Sequence, residues 1–311
     1  MKTLVTGGAG FIGSHLSDAL IERGDEVTII DDLSSGSREN LASALANGAR
    51  LVEGDIRDLE FVKATVAEAA PNTIFHLAAQ GEVRRSIDEP SFDASVNVVG
   101  TVNLLDAGLA IGLDRFVFAS TGGAIYGEGS RLELPAAESS ELAPLCPYGL
   151  SKLAGEKYLE LYRRMYMFNS VALRFGNVYG PRQNPKGEAG AVAIFSELLK
   201  EGKQPTVFGD GSQTRDFVYI KDVIDAVLTA SRTDVEGAIN IGTGIETSLL
   251  DMIGDLAKQA PNGGGFDPIF APKKSGEVKR IAIDPARAGR ELGWSATTSL
   301  DEGLKLTLRS L

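Results

Sequence analysis

Apolar and polar positions in the first part of the chain switch repeatedly between two spacings. Lys2 to Val5 form a short strand-like run, and Phe11, Ile12, Leu16, Ala19 and Leu20 then recur at the helical period. The exchange repeats downstream. Val27-Thr28-Ile29-Ile30 reads as a strand, as does Leu51-Val52-Glu53, which leads to Asp55. A helix fits 58–70, Thr73-Ile74-Phe75-His76-Leu77 is a strand, a long helix fits 91–111, and Arg115 to Ser120 is a strand. Such alternation predicts an α/β fold, a doubly wound parallel sheet with helices on both faces. Ligands of these sheets gather at the carboxyl ends of the strands, here the segments 7–13, 31–36, 55–56, 77–80 and 120–126. From about residue 176 Gly- and Pro-containing loops become frequent, as at Gly180-Pro181-Arg182, Pro185-Lys186-Gly187 and Phe208-Gly209-Asp210-Gly211. Helices still fit 191–199, 222–231, 249–258 and 300–308, and Asn262-Gly263-Gly264-Gly265 reads as an exposed connection.

The first of these carboxyl ends carries Gly7, Gly10 and Gly13 in the spacing G-x-x-G-x-x-G, between a strand and a helix start. Each missing side chain has a use: a tight turn, close approach of backbone to a pyrophosphate, and close helix–strand packing. A helix N-terminus adds free N–H groups and partial positive charge. Glycine spacing alone is a weak signal, but the second strand ends in Asp31, about 20 residues on, where an acid holds the adenosine ribose hydroxyls. Asp32 follows rather than an Arg, which repels a 2′-phosphate and favours NAD over NADP. The expected architecture is therefore a Rossmann-type NAD-binding domain over 1–175, which includes the helix bearing Tyr148 and Lys152. A smaller C-terminal α/β substrate domain over 176–311 follows, with some chain returning to the larger one.

Composition narrows the partners. Hydrophobic residues make up 43% and charged residues 23% of 311, ordinary for a globular chain. A net charge of −11 argues against nucleic acid, and an anionic ligand then needs a local basic pocket. The single cysteine, Cys146, cannot form an internal disulfide and suits a reducing compartment. No run of 18 apolar residues suggests a membrane span, and the glycine motif begins so early that no signal segment fits ahead of it; a cytoplasmic protein is expected. With two histidines in the chain, no metal site is expected.

Tyr148 and Lys152 stand four residues apart in a segment that suits a helix entered at Pro147, so they share one face. A nearby ammonium favours a phenolate, and Tyr148 then serves as a general base near neutral pH. Tyr and Lys at this spacing are common by chance; what raises them is their place after a dinucleotide-binding half and a strand ending in hydroxyls.

Taken together, these residues resemble the extended short-chain dehydrogenase/reductases, and within them the UDP-galactose (UDP-glucose) 4-epimerases. The resemblance covers 2–309 and rests on Thr6 to Gly13, on Phe75-His76-Leu77-Ala78-Ala79-Gln80, and on Tyr148-x-x-x-Lys152. Arg174-Phe175-Gly176-Asn177-Val178-Tyr179-Gly180-Pro181-Arg182 and Gly209-Asp210-Gly211 with Arg215-Asp216-Phe217 complete it. It implies an NAD-dependent isomerase in which Tyr148 deprotonates the sugar 4-hydroxyl, a 4-keto sugar turns over in the pocket, and hydride returns to its other face. Lys152 lowers the tyrosine pKa and grips the nicotinamide ribose. The implied NAD contacts are Gly7, Gly10, Phe11, Ile12, Gly13, Asp31, Asp32, Leu33, Ser35, Gly36, Asp55, Ile56, Leu77, Ala78, Ala79, Gln80 and Asn97, with Tyr148 and Lys152.

The family's Ser or Thr four residues before the Tyr of its Tyr-Gly element is replaced here by Gly122, with Ser120 and Thr121 just upstream. Thr121 is expected to bond the sugar oxygen, Ser120 being second, with the following glycines letting the loop shift. The resemblance implies Asn177 and Arg215 at the diphosphate, Val207 and Phe208 against the uracil, and Lys274 and Glu277 at phosphate and ribose. Ile281 falls where the family bounds the C2 substituent, which implies a preference for UDP-glucose and UDP-galactose over N-acetyl sugars. The Asp-Glu pair of the 4,6-dehydratases is absent, since Gly123 and Ala124 stand there, and so is the loop Glu of the decarboxylases. His76 and Trp294 read as packed residues. The family's dimers imply a homodimer through the helices near 91–111 and 148–168. The alternatives are a 4-epimerase of another UDP-sugar, such as UDP-glucuronate or a UDP-N-acetylhexosamine, and a non-catalytic NAD sensor.

Overall fold

A computed structural model describes residues 1–129, 133–185, 190–259, 266–272 and 278–311. The chain runs through β1 (Lys2–Thr6), α1 (Phe11–Glu22), β2 (Glu26–Asp31), a 3-10 turn (Arg38–Leu41), α2 (Ala42–Ala46), β3 (Arg50–Glu53), α3 (Leu59–Ala69), β4 (Thr73–His76) and α4 (Val83–Asp88). There follow α5 (Pro90–Ala94), a π-helical stretch (Ser95–Val99), α6 (Gly100–Ala110), β5 (Arg115–Thr121), α7 (Gly122–Ile125), α8 (Pro147–Tyr166), β6 (Ser170–Phe175) and β7 (Asn177–Tyr179). The remainder is α9 (Ala191–Lys200), β8 (Thr206–Phe208), β9 (Thr214–Arg215), β10 (Phe217–Tyr219), α10 (Ile220–Ala230), β11 (Gly237–Ile241), β12 (Thr247–Ser248), α11 (Leu249–Lys258), β13 (Ile269–Ala271), α12 (Ala286–Leu292) and α13 (Leu300–Arg309).

Local chemistry sets many of these limits. Asp58 caps α3 by accepting from the N–H groups of Glu60 and Phe61, both at 3.1 Å. Pro147 opens α8, where a missing N–H costs nothing, and Met167 closes it in a left-handed conformation. Ser248 and Ser299 cap α11 and α13.

The main sheet has seven strands in the order β11-β6-β5-β4-β1-β2-β3. The pairs β1–β2, β1–β4, β2–β3 and β4–β5 are parallel. The order reverses between β1 and β4, so a crevice opens beyond their carboxyl ends. One face of the sheet presents Leu4, Ile30, Ile74, Phe116 and Phe118 to Val62 and Val66 of α3, Leu104 and Leu105 of α6, and Leu159 of α8. Val5 and Ile29 point the other way, as strand alternation requires. There α1 comes close because Gly8 has no side chain: a Cβ would lie 2.5 Å from Ile29 Cγ2 and 3.3 Å from Ser17 Oγ.

Contacts divide the chain into two compact units. The first comprises Met1–Ser120, Cys146–Arg174 and Ile224–Ile239; the second comprises Thr121–Leu145, Phe175–Val223 and Asn240–Leu311. This differs from a boundary at 175 by Ile224–Ile239, which belong to the first unit, and by the excursion 121–145, which is tied to the second unit by long-range bonds. Tyr126 Oη donates to Asn240 Oδ1 (2.7 Å), Ala136 N to Ala282 O (2.8 Å) and Asp284 N to Ala136 O (2.9 Å). The second unit also holds the short pairs β7–β10 and β8–β13, both parallel, and β9–β12, antiparallel.

Three helical segments, 38–46, α4 and α12, carry too little apolar periodicity to be expected from the sequence. The helix expected at 91–111 is interrupted by the π-helical stretch. The Gly263–Gly265 run lies outside the described residues. Among the described residues no helix is long and apolar enough to cross a membrane.

Candidate active site

The glycine turn after β1 is a cradle that side chains would fill. Gly7 is left-handed (φ 69°), and a Cβ there would sit 2.6 Å from the backbone N of Ala78. A Cβ on Gly13 would sit 2.1 Å from Gly7 O. Gly10 caps α1 with extended backbone, and neither a side-chain cap nor a first-turn acid competes for the helix N–H groups around Phe11 and Ile12. The fit to a dinucleotide pyrophosphate is one of shape and of dipole.

Asp31 ends β2 buried, its carboxylate accepting from Ala9 N (2.8 Å) and Leu33 N (2.9 Å). Burial pushes its pKa up, these two bonds oppose the shift, and Asp32 adds to it. Leu33 is held at φ 56°, a strained backbone that a side-chain pattern does not announce. Asp32 binds Ser34 N and Oγ (3.0 and 2.6 Å). Ser35 is exposed, and Gly36 folds so tightly on the turn that a Cβ would meet Ala9 C at 2.8 Å. Asp55 is held below its usual pKa by the forked Arg57 guanidinium.

Not every expected contact presents its side chain. Ile56 is 5% exposed and its side chain belongs to the hydrophobic core, against the bare backbone of Gly100. Leu77, Ala78 and Ala79 are half-buried after β4. Gln80 and Asn97 are buried, and their carboxamides bond protein partners. Asn97 Nδ2 donates to Gln80 O (2.9 Å), to Asp93 Oδ1 (3.0 Å) and to Ser151 Oγ (3.1 Å), while Gln80 N donates to Asn97 Oδ1 (2.9 Å).

On α8, Tyr148 is half-buried, and Lys152, one turn on, is 3% exposed. The Lys152 ammonium donates to Ala119 O (2.9 Å) and lies 4.8 Å from the centre of the Phe118 ring. Burial pulls its pKa down to about 8, against the opposing charges of Asp93 and Glu156. Glu156, a turn further on, is buried in a forked pair with Arg174 (2.7 and 2.9 Å) and also accepts from Ser120 Oγ (2.6 Å). Ser120 is thereby committed within the first unit. The sequence reading did not single out Asp93, Ser151 or Glu156, which the structure packs around Lys152 and Asn97; an acid four residues after Lys152 on one helix face was the available signal for Glu156. His76 is packed as expected. Its Nδ1 is 2.8 Å from Thr6 Oγ1 and its Nε2 2.9 Å from Thr101 Oγ1, and burial holds its pKa well below 6.5. Cys146 is buried at the cap of α8.

In the second unit Thr121 precedes α7. A Cβ on Gly123 would lie 3.8 Å from Thr121 Oγ1 and 3.5 Å from Asn177 Oδ1, so these two oxygens border the same space. Asn177 Oδ1 is buried without a hydrogen-bond partner among the described residues. Gly122 does not loosen the loop as expected. It begins α7, and a Cβ there would meet Ile283 Cδ1 at 2.6 Å, so its role is packing.

Arg215 is half-buried on β9 and donates to Thr214 O (2.8 Å). Asp216 beside it is buried and accepts from Thr243 N, Thr243 Oγ1, Gly244 N and Ile283 N, which fixes the strand that bears Arg215. Val207 is fully buried and Phe208 half-buried on β8, so of the two only Phe208 retains ring surface for a base. Ile281 is enclosed at 1% exposure. Trp294 is core, its Nε1 donating to Asp222 O (2.9 Å). Lys274 and Glu277 lie outside the described residues.

A reversal-point crevice with a glycine cradle and a Tyr–Lys pair defines a dinucleotide-binding protein equipped for proton transfer at a hydroxyl. Residues 3–242 match the model of the NAD dependent epimerase/dehydratase family, and the chain belongs to that family. A UDP-glucose 4-epimerase of Mycolicibacterium smegmatis is 45% identical over 99% of this chain and 97% of its own. The crystal structure of a UDP-glucose 4-epimerase from Thermotoga maritima with UDP-glucose superposes with a TM-score of 0.95 at 42% identity, covering 100% of this chain and 98% of that one. The Thermus thermophilus UDP-glucose 4-epimerase complex with NAD gives 0.93 at 40% identity, with 100% and 98% covered.

Proposed function

We propose that the protein is an NAD-dependent 4-epimerase that interconverts UDP-galactose and UDP-glucose through a transient 4-keto sugar. The observation that carries this reading is the buried Lys152 ammonium, anchored on Ala119 O one turn from Tyr148, in a chain whose glycine cradle fits a dinucleotide. When bound, NAD supplies a hydride acceptor, then a donor, at sugar C4. Tyr148 takes the proton of the 4-hydroxyl and later returns it. Lys152 stabilises the phenolate and holds the nicotinamide ribose. Thr121 bonds the 4-oxygen, Asn177 and Arg215 hold the diphosphate, and Phe208 flanks the uracil. A firm grip on the nucleotide with a loose one on the hexose lets the keto sugar turn over without being trapped.

The same reading gives a homodimer, a cytoplasmic location and a role in galactose metabolism. Leu150, Tyr158, Leu161 and Met165 leave an apolar stripe exposed along α8, with Val99 exposed in the π-helical stretch packed against that helix, and a second copy would cover it. A UDP-glucuronate epimerase needs an extra cation for the C6 carboxylate. Arg85 is spent on the Phe92 ring (4.2 Å) and Glu89, and nothing favours that reading. Parallel incubations with UDP-galactose, UDP-glucuronate and UDP-N-acetylglucosamine test the choice. UDP-galactose should turn over fastest, and faster conversion of UDP-glucuronate would overturn the substrate assignment.

A further inference from the structure

The buried carboxylate of Asp93 plays no part in the chemistry above. It lies on α5 and is 1% exposed. Its Oδ1 accepts from Gln80 Nε2 (3.1 Å) and from Asn97 Nδ2 (3.0 Å). Asn97 also donates to Ser151 Oγ, the neighbour of Lys152. One carboxylate therefore ties α5, the chain after β4 and α8 together. Neutral amide donors compensate only part of the cost of burying a charge, and a cation nearby is what such a group needs.

The groups that face Lys152 narrow the choice of that cation. On α8 itself stand Tyr148 and Glu156, and Glu156 is already neutralised by Arg174 of β6. His76 of β4 is uncharged. The α4 side chains Arg84, Arg85 and Asp88 are exposed, and Asp106 of α6 is taken by Tyr162. The π-helical stretch carries no titratable side chain. Among the described residues, Asp93 is then the carboxylate tied to α8 through Asn97 and Ser151 that no guanidinium pairs with.

We propose that Asp93 is a positioning residue: it is the counter-charge that keeps Lys152 an ammonium beside Tyr148, and the Gln80–Asn97–Ser151 set keeps that carboxylate in register with α8. This rests on the roles given above to Tyr148 and Lys152. Burial works against the ammonium, and Asp93 is the foremost charge that opposes it. Losing the Asp93 charge lets Lys152 shed its proton at lower pH, and the phenolate loses its support there.

The test is the pH dependence of turnover in the NAD-loaded Asp93→Asn variant, which keeps the volume and one acceptor oxygen. The alkaline limb should move to lower pH by about one unit, with about tenfold slower turnover beyond it and a little-changed plateau. Asp93→Glu should restore the limb. Asp93→Ser, also neutral but smaller, should repeat the shift, which guards against a folding defect of the first variant. A loss that is uniform across pH, with the limb unmoved in folded and NAD-loaded variants, would overturn the proposal. If the wild-type protein turns over no nucleotide sugar, the catalytic reading fails instead. The ε-carbon NMR signal that vanishes in Lys152→Met then reports the titration without turnover, and an unchanged midpoint in Asp93→Asn contradicts the counter-charge.

Discussion

Substituting Gly13 by Ala probes the cofactor cradle at its tightest point. A methyl there would stand 2.1 Å from Gly7 O, 2.7 Å from Gly8 Cα and 2.8 Å from Gly7 C, all backbone atoms. The turn has no room to retreat. Gly7 N donates to Ile30 O (2.8 Å), and the far side of Gly7 is closed by Ala78 N, 2.6 Å from where a Cβ would be. Relief requires α1 and the turn to part by more than an ångström, which spreads the N–H groups meant for a pyrophosphate. Overpacking of this kind costs about 1–3 kcal/mol, the upper end applying where only backbone can yield. For 311 residues, at about 2.1 cal/mol/K of unfolding entropy per residue, that lowers Tm by roughly 1.5 °C per kcal/mol. NAD released from the purified variant should fall well below one per chain, measured beside the melting curve. Gly254→Ala is the control: Gly254 lies exposed inside α11 with nothing within 4 Å of a Cβ, and the change should stabilise by about 0.5–1 kcal/mol. A Gly13→Ala protein that melts with the wild type and retains full NAD would show that the cradle is looser than its geometry says.

Three other outcomes are expected. Tyr148→Phe should lower epimerisation by roughly 10²–10⁴-fold while bound NAD stays unchanged, read by product formation and cofactor release. Arg174→Met leaves the Glu156 carboxylate buried and unpaired, which should cost about 3–5 kcal/mol in denaturant unfolding; adding Glu156→Leu should recover most of it. His76 is kept neutral in the fold, so the unfolded chain binds the extra proton below its pKa of 6.5, and stability falls as pH drops through that range. Between pH 7 and about 5.5 this amounts to roughly 1 kcal/mol, a loss that should be missing from His76→Gln in parallel unfolding curves.

The parts of the fold legible in the sequence were those set by local chemistry. The strand–glycine–helix start, the helix near 58–70, the Pro147 entry and the Tyr148–Lys152 face each depend on residues within a few turns. Ser120 and Thr121 were legible as hydroxyls, but nothing nearby in sequence shows that Ser120 donates to Glu156, 36 residues away. Nothing nearby in sequence shows that Gln80 and Asn97 bond each other and Asp93. Ile56 and Val207 carry apolar side chains that suit a pocket or a core equally, and packing chose the core. The excursion 121–145 joined the second unit through bonds from Tyr126 and Ala136 to residues 240–284, partners more than 100 residues distant.

Proton NMR of UDP-galactose with the purified protein, no NAD added, comes first among the experiments. The reading of Tyr148, Lys152 and the glycine cradle predicts conversion toward UDP-glucose, because a cofactor that regains its starting state each cycle stays bound and copurifies. UDP-galactose left unchanged, even after NAD is supplied, would contradict 4-epimerisation of this sugar.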